Sequence, residues 1–475
     1  MFWKLEDKAS NSGVLINDNT NNVVAYQELF QRVEIITEVL SKKDKTLIFL
    51  FGDNSIESIE IYLAALYTNN TIYLANLQMD DRLKNNLISI YYPEIIFSKK
   101  EIASLSDLYE HSVLSNKFSL YKIKRRQDFN PIYKDLAVLL STSGTTGSPK
   151  FVRLSYSNLQ SNAQSIAEYL SITENEKPIT SLPMSYSFGL SVINSHLLKG
   201  ASIVCTNQSM VMREFWNLFN LNNCTSFSGV PYNYQMLHRL KFDKLEIPSL
   251  KMMTQAGGRL SEGLIKYFYE AAINKNIKFF IMYGQTEATA RISFVPFENL
   301  GNKIGSIGIA IPNGKIDILD DNFGIKLPKE EGELVYYGEN VMLGYSETRE
   351  DLSKGDEMKG ILNTGDLAFK DEDGFLFITG RLKRFIKLFG LRINLDEIEK
   401  MIENKFSLPI AAIGTDDALK VLIQTSDSNL SELVNRYIIE TYKLHHSFLS
   451  VRIVDSIPVT TSGKKDYNLI QELLK

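Results

Sequence analysis

The sequence predicts an α/β fold: a large N-terminal domain of mixed sheets flanked by helices and carrying a β subdomain, then a small α+β C-terminal domain. Three observations carry this reading. Strand-like and helix-like runs alternate through most of the chain, the β-α-β rhythm of an α/β protein with much parallel pairing. From about Gly314 the texture changes to short strands separated by Gly and Asp turns, the pattern of a hairpin-built β subdomain. After Gly380 a base-dense segment, Arg381-Leu-Lys-Arg-Phe-Ile-Lys387, precedes about 90 residues of α+β character. The expected boundaries are 1–380 for the core, about 314–380 for the β subdomain, 381–384 for a connection and 385–475 for the small domain.

Taken in order, Tyr26 to Leu40 places Leu29, Val33, Ile36 and Leu40 at helical spacing. Thr46 to Phe51 is a buried strand closed by Gly52-Asp53-Asn54, Ile56 to Tyr67 a helix, and Thr71 to Leu74 the next strand. Comparable units recur at Ile203 to Thr206, Ser261 to Asn274 and Lys278 to Met282. The β subdomain reads as strands at Lys315 to Leu319, Gly332 to Tyr337, Leu367 to Lys370 and Phe375 to Thr379, the last two flanking the Asp373-Gly374 turn.

With 475 residues the chain holds about three domains' worth of sequence, and 44% hydrophobic with 23% charged residues excludes disorder, collagen and coiled coil. A formal charge of −4 gives no bulk electrostatic reason to bind nucleic acid or anionic membrane. Two cysteines, Cys205 and Cys224, are too few for a disulfide framework and are expected as buried small hydrophobes. The acidic start, Met1 to Asp7, is not a signal peptide, and the apolar runs fall far short of the ~20 residues of a bilayer span. These features predict a cytoplasmic protein with no membrane insertion.

Four groups of residues carry chemistry. Leu139-Leu-Ser-Thr-Ser-Gly-Thr-Thr-Gly-Ser-Pro-Lys150 runs a buried strand into hydroxyl residues and two glycines, ending on lysine. Glycines let successive N–H groups converge, hydroxyls add donors, and a lysine at the rim supplies charge for a polyphosphate. The nucleotide P-loop pattern fails here, because Pro149 stands where its second glycine belongs and Phe151 follows the lysine. Met282-Tyr-Gly-Gln-Thr-Glu-Ala288 puts an aromatic ring, a hydroxyl and a carboxylate at a strand's carboxyl end, where open α/β sheets bind ligands. A lone carboxylate reaching phosphate through a hard cation is how magnesium sites are usually built. Asn363-Thr-Gly-Asp366 with Gly380-Arg381, and Gln255-Ala-Gly-Gly258, read as turns. Ile457-Pro-Val-Thr-Thr-Ser-Gly-Lys464-Lys465-Asp466 closes the set.

Together, in this order and from Ser141 to Asp466, these stretches resemble the AMP-forming adenylating enzymes: acyl- and aryl-CoA synthetases, peptide-synthetase adenylation domains and firefly-type luciferases. The resemblance implies a flexible phosphate loop at Thr142, Ser143, Gly144, Thr145, Thr146, Gly147 and Lys150. It implies that Tyr283 and Gly284 lie on adenine, that Thr286 touches the α-phosphate, and that Glu287 coordinates Mg²⁺. Asp366 would accept both ribose hydroxyls and Arg381 would contact the ribose. Gly257 and Gly258 would lie between adenine and an acyl pocket containing Tyr186, Gly189 and Gly229. Lys464 would be the closing-motif lysine that reaches the reacting carboxylate and α-phosphate, with Thr286 and Glu287 as its catalytic companions. Lys383 falls at the hinge about which a mobile C-terminal domain rotates, and Gly390 at the position that admits the pantetheine thiol.

The implied cycle uses ATP, Mg²⁺ and a carboxylic acid, forms an acyl-adenylate with pyrophosphate release, and passes the acyl group to a thiol. CoA is the first expectation. The alternative is the phosphopantetheine of a separate acyl carrier protein, acting in trans because no carrier domain follows Lys475. A non-catalytic nucleotide-binding relative is the reading from another class, and the joint presence of Thr142, Lys150, Glu287, Asp366, Arg381 and Lys464 argues against it. Two departures bear on the acid. Gly189 stands where amino-acid-activating relatives carry an aspartate for the α-ammonium group, so an α-amino acid is disfavoured. Tyr186 takes the place of a histidine common in acyl-CoA relatives.

Overall fold

A computed structural model describes residues 1–8, 13–17, 23–40, 44–102, 105, 107–114, 118–125, 127–141, 150–320, 322–382, 384–388, 391–415, 418–442, 444–460 and 464–474. The strand Leu47–Gly52 is buried at every position, and Thr71–Asn76 and Leu136–Ser141 at all but their last. Continuous apolar strands of this kind belong in a sheet covered on both faces. They lie at the centre of an eight-stranded sheet that runs Gly344–Ser346, Phe151–Ser155, Leu136–Ser141, Thr71–Asn76, Leu47–Gly52, Ile95–Ser98, Ser119–Ile123, Tyr109–Val113. Its four central strands are parallel and both flanks antiparallel. The sheet is therefore mixed, because hairpins and a returning strand finish what the β-α-β units begin.

The helix Tyr26–Leu40 buries Leu29, Val33, Ile36 and Leu40 and leaves its other face to water. Ile56–Tyr67 is buried on nearly all sides, and its Ser55 cap accepts from the Ser58 N–H. Its one buried acid, Glu60, is paired with Arg32 at 3.2 Å, as a carboxylate out of water must be.

A second, five-stranded sheet sets the site. Ser226–Gly229, Met252–Gln255 and Lys278–Tyr283 are parallel, and the short strands Ser293–Phe294 and Ile309–Ala310 return antiparallel. The carboxyl ends of the three parallel strands open side by side, onto Val230, Ala256 to Gly258, and Gly284 to Thr286. Further along, Lys315–Leu319, Gly332–Tyr337, Ile361–Lys370 and Leu376–Arg381 form an antiparallel four-stranded sheet.

The chain from Arg384 onward builds its own apolar core. Ile386, Ile393, Ile398, Ile402, Ile410, Val421 and Ile438 are each at most 4% exposed and pack together. Helices Leu395–Phe406 and Asn429–Tyr442 cover a sheet of Ile410–Thr415, Ala418–Gln424 and Leu449–Val454. Cys205 and Cys224 are both buried, and burial pushes the Cys224 thiol up to about 12. Among the described residues, no helix is long and apolar enough to cross a membrane.

Candidate active site

The site grows from the end of the strand Lys278–Tyr283. Gly284 follows, and a Cβ there would run into the carbonyl of Ala290, so only glycine fits. Thr286–Ala288 makes a single helical turn. Thr289 and Ala290 then adopt φ of +56° and +104°, and positive φ at a non-glycine residue is strained. Asn340 holds the turn: its Nδ2 donates to the carbonyls of Ala288 and Arg291 at 2.7 and 2.9 Å, and the Thr289 hydroxyl donates to its carbonyl at 2.6 Å.

The turn presents Thr286 and Glu287. The Thr286 hydroxyl lies 3.1 Å from that of Ser187, at the start of the helix Ser187–Lys199. Glu287 Oε1 accepts from the Tyr345 hydroxyl at 3.0 Å. The same Tyr345 ring lies under Lys150, whose Nζ is 3.8 Å from the ring centroid. Antiparallel pairing of Gly344–Ser346 with Phe151–Ser155 makes this possible, because Lys150 directly precedes the partner strand. Tyr345 thus joins the lysine to the carboxylate. Nothing in the sequence singled it out, since its partners lie about 60 and 195 residues away.

Asp366 anchors the second half of the site. Instead of the turn expected from Asn363 to Asp366, it sits within the strand Ile361–Lys370. The expectation fails because Thr364, Gly365 and Asp366 bulge out where the register against Gly332–Tyr337 slips, with Gly365 at φ +70°. The bulge aims a 3%-exposed carboxylate at Tyr283. Its Oδ2 accepts from the Tyr283 hydroxyl and from Gln285 Nε2 at 3.0 Å, and Oδ1 accepts from Arg381 Nε at 2.9 Å. Burial first, and the Asp366 charge second, push the Tyr283 phenol well above its usual range. The Asp366 charge in turn raises the Arg381 pKa.

Lys464 arrives from the C-terminal core. Its neighbour Lys465 is held elsewhere, in ion pairs with Glu399 at 2.7 Å and Glu403 at 3.1 Å. Lys464 is near enough to Arg381, Glu287 and Asp366 to feel all three charges, although they lie far upstream in sequence. Burial, then Arg381, lowers its pKa, while Glu287 and Asp366 raise it. Tyr283, Gly284, Thr286, Glu287, Asp366, Arg381 and Lys464 are therefore brought together, with Lys150 reached through Tyr345. Thr142, Ser143, Gly144, Thr145, Thr146, Gly147, Lys383 and Gly390 lie outside the described residues.

Of the expected acyl-pocket residues, Tyr186 faces the glycine loop. A Cβ on Gly257, at φ +82°, would come within 2.6 Å of its hydroxyl, and one on Gly258 within 3.1 Å of Pro231. Gly189 and Gly229 turn elsewhere. The open side of Gly189 is pressed against the Pro183 carbonyl, and that of Gly229 against the Tyr234 ring in the core. Strand alternation explains the second case, since Gly229 shares the face of the core residue Phe227. An apolar wall of Leu182, Phe188, Val230, Ala256, Phe280 and Met282 lies beside Tyr186, with Tyr169 and Phe294 packed on it.

Residues 5–346 match the family described as AMP-binding enzyme. The chain is 25% identical to the 2-succinylbenzoate--CoA ligase of Staphylococcus epidermidis, with 98% of this chain and 96% of that protein covered. It is 28% identical to the putative acyl-CoA synthetase YngI of Bacillus subtilis, covering 73% of this chain but only 65% of that protein's length. Among solved structures, the o-succinylbenzoate CoA synthetase MenE of Bacillus subtilis with OSB-AMP superposes at TM-score 0.80, with 22% identity and 99% and 97% of the two chains covered. ATP-bound MatB of Rhodopseudomonas palustris superposes at 0.81, with 21% identity and coverage of 100% and 98%. The mixed α/β architecture described above is the one these structures share.

Proposed function

The chain belongs to the AMP-binding enzyme family, and from that premise we propose that it is a carboxylic acid ligase that activates its substrate as an acyl-adenylate and delivers it to a thiol. The observation that carries the reading is the convergence of Lys464 with Glu287, Asp366 and Arg381 at the ends of the parallel strands. Two anions, a carboxylate and a polyphosphate, must meet for adenylation, and a cation between them offsets their repulsion.

In this scheme a carboxylate oxygen attacks the α-phosphorus of ATP, the bond from that phosphorus to the β-phosphate oxygen breaks, and pyrophosphate leaves. Lys464 balances charge on the attacking carboxylate and α-phosphate, Thr286 donates to the same phosphate, and Asp366 with Arg381 fixes the ribose. Glu287 fits Mg²⁺ as a single carboxylate, since that ion takes much of its coordination from phosphates and water. Among the described residues there is no cluster of three or more His, Cys, Asp or Glu to form a dedicated metal cage. When bound, the ion neutralises phosphate charge. In the second step the thiol loses its proton to solvent, its sulfur attacks the acyl carbonyl carbon, and AMP departs with the oxygen that came from the acid.

The thiol we propose is that of CoA, in keeping with relatives named as CoA ligases. A carrier protein's phosphopantetheine presents the same group. The phosphate loop at 142–150, rotation about 381–384 between the two steps, and a cytoplasmic location complete the proposal. The test is pyrophosphate release from Mg·ATP against a panel of carboxylic acids, with and without CoA. Turnover that needs both acid and CoA supports the ligase. One pyrophosphate per enzyme, unaffected by CoA, redirects the acyl group to a carrier protein. ATP binding with no acid-dependent release contradicts the proposal.

A further inference from the structure

Arg291 is 1% exposed. The strained turn at Thr289 and Ala290 carries it back beside the strand Lys278–Tyr283, into the wall next to Tyr186. Its guanidinium lies 3.9 Å from the centroid of the Phe188 ring. Among the described residues its Nε and Nη1 have no hydrogen-bond partner, and no Asp or Glu forms an ion pair with it. The Tyr169 phenol hydrogen-bonds to the guanidinium and, with that of Tyr186, acts on it electrostatically, but both are neutral groups. A guanidinium stays charged under all ordinary conditions, and a buried charge is normally paired. Stacking on Phe188 offsets only part of the lost hydration. Among the described residues no anion pairs with it.

We propose that Arg291 binds a second carboxylate on the acid substrate, at the end remote from the carboxylate that is adenylated. The inference rests on the ligase reading for the identity of the first carboxylate. Position favours it: Arg291 adjoins Tyr186, whose hydroxyl abuts Gly257 at the open ends of the parallel strands. Distance sets the size of the substrate. Ser187 touches Thr286, and the next residue, Phe188, underlies Arg291, so the two ends would be read from neighbouring residues of one helix, which favours a short diacid. The same positive charge further disfavours an α-ammonium group in this pocket.

The test pairs diacids with monoacids of the same skeleton: malonate with propanoate, succinate with butanoate, phthalate with benzoate. Binding of each is measured by calorimetry to the full chain with Mg²⁺ and a non-hydrolysable ATP analogue. Acid-dependent ATP–pyrophosphate exchange is measured in parallel. Wild type should bind at least one diacid on the order of 100-fold more tightly than its monoacid partner. Arg291→Met should bring that ratio to within about 3-fold, and Arg291→Lys, which keeps the charge, should retain part of it. A purely structural arginine would weaken both members of a pair equally and leave the ratio alone. The proposal is overturned if no diacid binds, if monoacids bind as well or better, or if Arg291→Met leaves the ratio unchanged. Arg291-dependent diacid binding without any exchange would support this inference while refuting adenylation.

Discussion

Asp366 has a limited number of lone pairs, and the structure has used most of them. Two carboxylate oxygens offer about four acceptor sites. Tyr283 and Gln285 take two on Oδ2, and Arg381 takes one on Oδ1. One site, on Oδ1, is left for a nucleotide. The resemblance implies both ribose hydroxyls, but the geometry admits one unless Arg381 swings away. A hydrogen bond to a charged group contributes about 1.5–3 kcal/mol, roughly 10- to 150-fold in affinity, against ~0.5–1.5 kcal/mol for a neutral pair. Asp366→Asn keeps the shape and removes the charge. Arg381 is 59% exposed, so water takes over its guanidinium and the fold should survive. The assay is exchange kinetics with ATP, 2′-deoxy-ATP and 3′-deoxy-ATP on both proteins. One deletion, not both, should cost wild type about 1.5–3 kcal/mol in kcat/KM, and that cost should shrink by about 1–2 kcal/mol in Asp366→Asn. Two equally costly deletions in wild type, or a coupling within about 0.5 kcal/mol of zero, would refute the lone-pair argument.

Tyr345→Phe removes the O–H that steadies Glu287, so adenylation should slow about 5- to 10-fold and half-saturation by Mg²⁺ should rise. A metal titration that matches wild type would disconnect Tyr345 from Glu287. Lys464→Ala should lower adenylation by on the order of 100-fold or more while thioester formation from a supplied acyl-adenylate stays within a few-fold; equal losses in both steps would contradict the assignment. Because burial and Arg381 lower the Lys464 pKa, the alkaline fall of kcat/KM for ATP should come below the ordinary 10.5, and Arg381→Gln should move it upward. His196 is 3% exposed, with its imidazole pushed down to about 4 by burial, so the unfolded chain binds its proton first as pH falls below 6.5. Its stability contribution is complete above 6.5 and lost toward pH 4, by roughly 3 kcal/mol. Urea midpoints over that range should fall less steeply in His196→Gln.

Local periodicity made the fold legible. Tyr26–Leu40, Ile56–Tyr67 and Gly332–Tyr337 fall where their spacing puts them, because burial on one face or both leaves a repeating mark in sequence. The antiparallel flanks of the large sheet were not legible, since strand pairing is decided by distant partners such as Gly344–Ser346 against Phe151–Ser155. In the site, Tyr283, Glu287, Asp366 and Lys464 stand out as a set because each belongs to a compact motif. Tyr345, Ser187 and Gln285 act through contacts, and a contact across about 60 or 100 residues leaves no local pattern. Arg291 was missed for another reason. An arginine four residues after Glu287 reads as an ordinary helical or surface charge, and only the strained turn at Thr289 and Ala290 takes it inside. The Asp366 bulge is similar: Gly365 marks a bend, but whether it becomes a turn or a bulge depends on register.

The central claim is that a carboxylate of the substrate attacks the α-phosphorus of ATP, and an isotope can follow that bond. The acid, labelled with ¹⁸O in its carboxylate, is incubated with enzyme, Mg·ATP and CoA, and the products are analysed by mass spectrometry. The account predicts one ¹⁸O in each AMP and none in pyrophosphate. Unlabelled AMP, or label recovered in orthophosphate beside ADP, would contradict it.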